Sequence, residues 1–168
     1  MARMHIKGLE EYEKKLSSMA NSTEDVGKAA VYVGAGIVAD AMREEIMALP
    51  TGEGDMPGLP PRAGDGEKIS VISPKQKSDL SKSLGIAPIK NEHGYIQTRV
   101  GFDGYGSVKT KKYPKGLPNI LLARSINSGT SFMKKNPFAR RAVTRTKKIV
   151  VEKMGKKVDE EIKKIIGG

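Results

Sequence analysis

The stretch that decides the fold is AAVYVGAGIVADAM, residues 29–42, which permits two incompatible interpretations. Gly34, Gly36 and Ala39 reproduce the G-x-G-x-x-G/A outline of a turn that binds a dinucleotide pyrophosphate. The same residues also fit the middle of a long apolar helix. A dinucleotide site needs a strand before the glycines, a helix after them and an acidic residue about 20 residues further on, at the end of a second strand.

The surrounding sequence favours the helix. The acidic residue at the right distance is Asp55, which lies in the Gly/Pro-rich stretch TGEGDMPGLPP (51–61) and cannot end a buried strand. Ser22 or Thr23 is predicted to cap the helix upstream of the apolar run, and Pro50 is predicted to end it. Each glycine in a helix costs about 1 kcal/mol relative to alanine. Close approach of another backbone is therefore expected at both glycines of the run.

Hydrophobic periodicity predicts the remaining elements. Helices are expected over residues 8–20, from the Ser22/Thr23 cap to Leu49, and from Pro137 to about Ile166. Between the last two, the sequence predicts a single capped turn leading into a strand (78–86), two antiparallel strands around His93-Gly94, and a short helix or turn (119–126). This order predicts an α+β fold, with long helices packed on a small antiparallel β-sheet, as a single domain over residues 1–168.

Two stretches are predicted to be long, mobile loops. Residues 50–77 are dense in glycine and proline, and residues 103–118 are rich in glycine and lysine. Loops of this length within a compact domain are commonly functional or disordered. Within the first loop, residues 53–76 are expected to be mobile in the free protein.

Composition excludes several classes of site. The chain has 168 residues, no cysteine and two histidines in unrelated segments, so a disulfide framework, a thiolate metal site or a zinc site is not expected. The first residues turn charged at once and the longest apolar run is short, so we expect no signal peptide and no membrane span.

Catalytic patterns are also missing from the sequence. It contains no G-x-S-x-G, P-loop or EF-hand motif, and paired acids such as Glu10-Glu11 and Glu44-Glu45 fit charged helical faces. The sequence therefore predicts a protein that is not an enzyme and uses no cofactor, with a small enzyme kept as the third hypothesis.

Charge is distributed unevenly along the chain. The net charge is +11, but residues 107–168 carry 17 Lys or Arg and 4 Asp or Glu. Aromatic residues lie among these basic residues, a composition typical of backbone-directed nucleic-acid contact; electrostatic subunit packing is the alternative. The candidate assembly or DNA-facing basic residues are Lys109, Lys111, Lys112, Lys115, Lys134, Lys135, Arg140, Arg141 and Arg145.

The order of motifs resembles the tail-completion, or head-to-tail joining, proteins of long-tailed (siphovirus-type) bacteriophages, the gene-ten-product-like minor tail components. IKGLEEYEKKLSSM (6–19) resembles the amphipathic first helix of that family, and the run ending in Pro-Thr-Gly resembles its long helix. SDLSKSLGI (78–86) and LLARSINSGTSFMKKNPFARRAV (121–143) resemble its later segments, although Ile126-Asn127-Ser128 replaces a Val-Glu-Phe of the family. The matching structural positions are Pro50, Thr51, Gly52, Leu80, Ser83, Gly129, Thr130, Pro137 and Phe138.

The resemblance implies a structural virion protein of a phage or prophage. Such a protein is expected to form a ring, six-fold in this family, that completes the head-proximal end of the tail. Its implied partners are copies of itself, the tail tube or tail terminator protein, and the head connector or adaptor protein, with possible contact to passing DNA and none to a membrane. The isolated chain is expected to be monomeric or weakly associated. The second hypothesis is a non-specific nucleic-acid-binding protein that uses the basic C-terminal half.

Overall fold

The computed structural model describes residues 9–52 and 68–167, which form an α+β fold as predicted. The helices are α1 (Leu9–Met47), α2 (Pro74–Ser83), α3 (Asn119–Ser128) and α4 (Phe138–Gly167). The strands are β1 (Leu84–Ile86), β2 (Lys90–Glu92), β3 (Tyr95–Gln97) and β4 (Val100–Phe102).

The two long helices, α1 and α4, pack against each other in opposite directions. Arg141 near the start of α4 contacts Glu45 near the end of α1, and Met154 further along α4 reaches Gly34. At one end of this pair, α2, α3 and the β1–β4 ladder close a hydrophobic core around Ile46, Leu80 and other apolar residues. We call this end the head (residues 38–52, 68–89 and 98–148) and the rest of the helix pair the stalk (residues 9–37 and 149–167).

α1 is a single helix, so the predicted break before residue 24 is wrong. The helix runs without interruption through Asn21–Asp25. The Thr23 hydroxyl does not cap a new helix; it donates to the Met19 carbonyl one turn earlier (2.8 Å), as threonine does inside a helix. The ion pair of Glu24 with Lys28, one turn apart, lies across the same region (2.7 Å). The capping potential of Ser22 and Thr23 therefore does not interrupt α1.

The glycines in the opening stretch differ in their surroundings. A Cβ at Gly34 would lie 2.7 Å from the Met154 Sδ and 3.2 Å from a Val150 methyl, so the glycine allows α4 to pack closely. At Gly36 no described atom lies within 4 Å of the equivalent position. The prediction that another backbone approaches closely is therefore wrong at both glycines, although side chains of α4 do pack closely on Gly34. The intact helix also removes the strand that a dinucleotide turn would need.

The predicted strands around His93-Gly94 form one hairpin in two parts. β1 pairs with β4 and β2 pairs with β3, both antiparallel, and the turn has positive φ angles at His93 (55°) and Gly94 (84°). Between the two ladders the strands are joined by Ala87, whose amide donates to the Arg99 carbonyl. The outer part (residues 90–97), here called the hairpin tip, rests on α1, where the Ile96 side chain lies directly against Gly27.

The ends of the predicted 50–77 loop are ordered. Thr51 pairs with Ile72 and Ile69 pairs with Met133, both as isolated parallel bridges. Helix α2 begins at Pro74 and has ten residues, so the predicted single turn at 78 starts too late. The missed start signal was the capping box of Ser73 and Gln76, whose side chains each accept a hydrogen bond from the other's backbone amide. Most of the stretch predicted to be mobile, residues 53–67, lies outside the described residues.

The predicted loop at 103–118 is a folded turn. The Leu117 amide donates to the Val108 carbonyl, and Thr110 and Tyr113 exchange backbone hydrogen bonds at its end. Gly116 has a φ of 114° and lies against the Gly106 carbonyl, in a space that a Cβ would fill. We call residues 107–116 the lysine loop.

α3 and α4 begin and end close to the predicted positions. α3 covers the expected 119–126 and continues to Ser128, where Gly129 (φ 76°) ends it. α4 follows Pro137 directly and runs to Gly167. Phe138 is fully buried and packs edge-on against Phe102 of β4, which fixes the start of α4 on the core.

Candidate assembly surfaces

Two of the predicted family-matching segments are joined at one place in the head. Residues 68–73, which match neither, lie between them: the Ile72 amide donates to the Pro50 carbonyl, and the Gly52 amide donates to the Ile72 carbonyl. On the other side, the Lys134 amide donates to the Ile69 carbonyl. This three-segment seam holds the end of α1 against the approach to α4.

Thr130 and Gly129 shape the second half of the seam. The Gly129 amide donates to the Ser125 carbonyl at the end of α3, and the Thr130 hydroxyl accepts from the Met133 amide (2.9 Å). A Cβ at Gly129 would lie 3.1 Å from the Lys135 backbone nitrogen, in a conformation that favours glycine. These two positions therefore turn the chain sharply from α3 toward α4.

The remaining matching positions belong to the core. Leu80 is fully buried, and the Ser83 hydroxyl donates to the Leu80 carbonyl at the end of α2 (3.2 Å). Pro137 precedes α4, and Phe138 is its first residue. The structure thus places all nine positions at turns, bridges and buried contacts of the head, where they determine its shape.

The predicted basic residues fall into two groups with different surroundings. On α4, Arg141 pairs with Glu45 (2.8 Å) and Arg145 pairs with Glu44 (2.7 Å), across the contact with α1. These two arginines are therefore partly neutralised within the chain, and the prediction that they are free for an anionic partner is weakened. Arg140 beside them is exposed, as are Lys134 and Lys135 before the helix.

The second group is the lysine loop, which presents all four of its lysines to solvent. Lys109, Lys111, Lys112 and Lys115 are exposed, and the Lys112 ammonium lies 5.7 Å from the centre of the Tyr113 ring. The loop is tied to α2 by Asp79, whose Oδ2 accepts from the Ser107 amide (2.7 Å) and hydroxyl (2.8 Å). The four exposed lysines therefore lie on a folded loop that is attached to α2. Asp79 has no sequence signature and was not predicted.

The fold concentrates positive charge at one end of the molecule. The head contains 18 Lys or Arg and 5 Asp or Glu, a net charge of +13. The stalk and the hairpin tip together contain 9 Lys or Arg and 10 Asp or Glu, a net charge of −1. Lysines from the N-terminal half of the sequence, such as Lys75 and Lys82, join the head, whereas those late in α4 belong to the stalk. The charge boundary is therefore spatial and does not follow the sequence halves.

Ion pairs along the stalk lower the pKa values of several carboxyl groups. Hydrogen bonds from Lys157 and then Lys164 lower the pKa of Glu161 from 4.5 to about 2. A hydrogen bond from Lys28, followed by one from Asn91 of the hairpin tip, lowers the pKa of Glu24. The second contact joins the tip to α1 beside the Ile96–Gly27 contact. The charges of Glu24 and Glu161 are thus matched within the chain.

An exposed apolar patch adjoins the lysine loop. Tyr105 forms a bridge with Pro118, and Ile120 and Leu121 follow in the first turn of α3. The side chains of Tyr105, Ile120 and Leu121 are 64%, 54% and 37% exposed. Short connections join the patch to both ends of the lysine loop, and the Gly106 amide donates to the Leu117 carbonyl between these connections. This combination of apolar and basic groups is suited to a macromolecular contact.

Two other kinds of site were sought in the structure. Among residues 9–52 and 68–167, no three His, Asp or Glu side chains are placed to hold a metal ion. In the same part of the chain, no helix is both long enough and apolar enough to span a bilayer.

Comparison of the chain with protein-family models, with curated proteins and with solved structures found no match.

Proposed function

We propose that this protein is a structural virion component of a long-tailed bacteriophage or prophage, which completes the head-proximal end of the tail and joins it to the head connector. It acts as a ring of identical copies, expected to be six-fold. Its neighbours are the tail tube or tail terminator protein on one side and the connector or adaptor protein on the other. This role requires extensive surfaces and no catalytic centre.

The observation that carries the proposal is the three-segment seam. The resemblance to tail-completion proteins rests on short motifs far apart in the sequence: Pro-Thr-Gly at 50–52, Gly-Thr at 129–130 and Pro-Phe at 137–138. In the fold, the first two are linked through residues 68–73, and the third begins the helix that follows. Two of these three motifs are thus joined at one structural feature although about 80 residues separate them, and this supports a shared architecture.

The shape and charge of the molecule also suit such a role. α1 has 39 residues and is therefore about 58 Å long, so one copy can contact several neighbours. The head has a net charge of +13 and the stalk a net charge near zero. A strongly charged end and a weakly charged end are compatible with different partners at the two ends.

The test is disruption of the gene in its own phage or prophage, followed by electron microscopy of the lysate. We expect DNA-filled heads and separate, complete tails, with joined particles restored when the wild-type chain is supplied from a plasmid. Lysates that contain normal numbers of joined, infectious particles after disruption would refute the proposal.

The second candidate function, non-specific nucleic-acid binding, is favoured by the charge of the head and by its exposed lysine loop. It predicts tight binding to duplex DNA with a steep salt dependence. Replacing Lys109, Lys111, Lys112 and Lys115 with glutamine should reduce the slope of log K against log salt by about 1 for each lysine that contacts a phosphate. The control variant loses the same number of positive charges from the stalk, by replacement of Lys153, Lys156, Lys163 and Lys164 with glutamine. Absence of binding at about 50 mM salt would eliminate this candidate.

A further inference from the structure

We propose that the apolar patch and lysine loop of one copy form the docking surface for the first turns of α1 of a second copy. This proposal depends on the proposed function in one respect only: the closure of successive copies into a ring. The contact itself is argued from exposure, charge and distance.

The receiving surface combines apolar area with unbalanced positive charge. Tyr105, Ile120 and Leu121 supply the exposed apolar side chains, and the lysine loop lies beside them on a folded support. Arg124, one turn after Ile120 on α3, is also exposed and extends the basic border. A partner that fits this surface has an apolar side chain flanked by acidic groups.

The start of α1 has this chemistry. Leu16 is 62% exposed, although its helix position continues the apolar stripe that packs on α4 further along. Glu13 is exposed one turn before it, and Glu11, five residues before it, is also exposed and forms an ion pair with Lys15 of the same helix (3.8 Å). Over residues 9–25 the chain carries five acidic and two basic residues, the reverse of the head. Opposite charges and exposed apolar side chains thus occur at the two ends of one molecule.

The two surfaces cannot meet within one chain. Leu16 precedes Ile46, a core residue of the head, by 30 residues, or about 45 Å along a continuous helix. The contact must therefore be between copies. Because it joins two different surfaces, it is heterologous: repetition generates either a closed ring or an open filament, depending on the rotation between neighbours. A ring is the outcome that the proposed function requires.

The test uses site-specific cross-linking, since the chain has no cysteine of its own. Leu16→Cys and Ile120→Cys proteins, one carrying a mass tag, are mixed and treated with a short bis-maleimide. Both positions are exposed, so both variants should fold. The matched control mixes Ile120→Cys with Val151→Cys, which places a comparably exposed cysteine (68%) on the part of the stalk that adjoins the head.

We expect a mixed dimer from the Leu16/Ile120 pair at several times the yield of the control pair. Glu11→Lys with Glu13→Lys should lower that yield, and reversing the four loop lysines to glutamate in the Ile120→Cys protein should restore it. A yield equal to the control, or equally efficient cross-linking of Leu16→Cys protein with itself, would overturn the proposal. The proposal would also be overturned if the four loop lysines were required for duplex DNA binding and the mixed pair gave no more cross-linked dimer than the control pair. If cross-linking fails while gene disruption still separates heads from tails, only the interface is wrong.

Discussion

The packing of α4 on Gly34 gives a sharp prediction, because Gly36 in the same helix provides a matched control. Alanine at either position removes the same unfolded-state freedom and gains about 1 kcal/mol of helix stability. At Gly36 no described atom lies within 4 Å of the new methyl group. Gly36→Ala should therefore stabilise the protein by about 1 kcal/mol.

At Gly34 the same gain is opposed by crowding. The methyl group would lie 2.7 Å from the Met154 Sδ and 3.2 Å from a Val150 methyl. The thioether can move, but the β-branched valine has little rotamer freedom in a helix. Overpacking of this kind costs about 1–3 kcal/mol, so Gly34→Ala should range from neutral to destabilised by about 2 kcal/mol.

Urea unfolding followed by circular dichroism measures both variants. The free energy of unfolding of Gly34→Ala should be lower than that of Gly36→Ala by about 1–3 kcal/mol. Combining Gly34→Ala with Met154→Ala removes the largest clash, so a double-mutant cycle should show favourable coupling of about 1 kcal/mol or more. If Gly34→Ala stabilises the protein as much as Gly36→Ala, the close contact of α1 with α4 does not exist.

Two further predictions concern hydrogen-bonded carboxylates. Asp79→Ala removes the acceptor for both Ser107 hydrogen bonds, so exchange of the Ser107 amide should accelerate by about 10-fold while amides of α4 keep their rates; unchanged exchange would contradict the tie between the loop and α2. The Glu161 carboxyl, observed by NMR, should titrate at about 2, and at a clearly higher pH when Lys157 and Lys164 are replaced by glutamine. Since the folded-state pKa of Glu161 is lowered, its stabilising contribution is complete above pH 4.5 and is lost as the pH falls toward 2. A titration midpoint near 4.5 in the wild-type protein would show that the ion pairs do not form in solution.

Elements defined by short-range signals could be predicted from the sequence. Pro137 followed by apolar residues at helical spacing indicated α4, and its bounds agree with the structure. The His93-Gly94 turn was also predictable, since glycine adopts the positive φ that a tight hairpin requires. In these cases the information lies within one turn of helix or one hairpin.

Errors arose from local signals that were misread or missed and from pairing between distant segments. Ser22 and Thr23 resemble a helix start, yet α1 continues through them. Ser73 and Gln76 form the capping box of α2, but they lie at the end of a Gly/Pro-rich stretch and were assigned to a loop. The bridges of residues 69–72 to two other segments depend on pairing across about 20 and 60 residues of chain, which no local pattern encodes.

The candidate surfaces also divide into properties that the sequence determines and properties that the tertiary structure determines. Sequence alone determined the total charge of +11, the residue types in the lysine loop and the apolar character of the stretch around Gly34. Only the tertiary structure decided that Arg141 and Arg145 are paired with Glu45 and Glu44, roughly 100 positions away in sequence. It also decided that positive charge gathers in the head, because antiparallel packing of α1 and α4 brings the basic start of α4 and the lysine loop to one end. The sequence sets which groups exist, and long-range packing sets which of them share a surface.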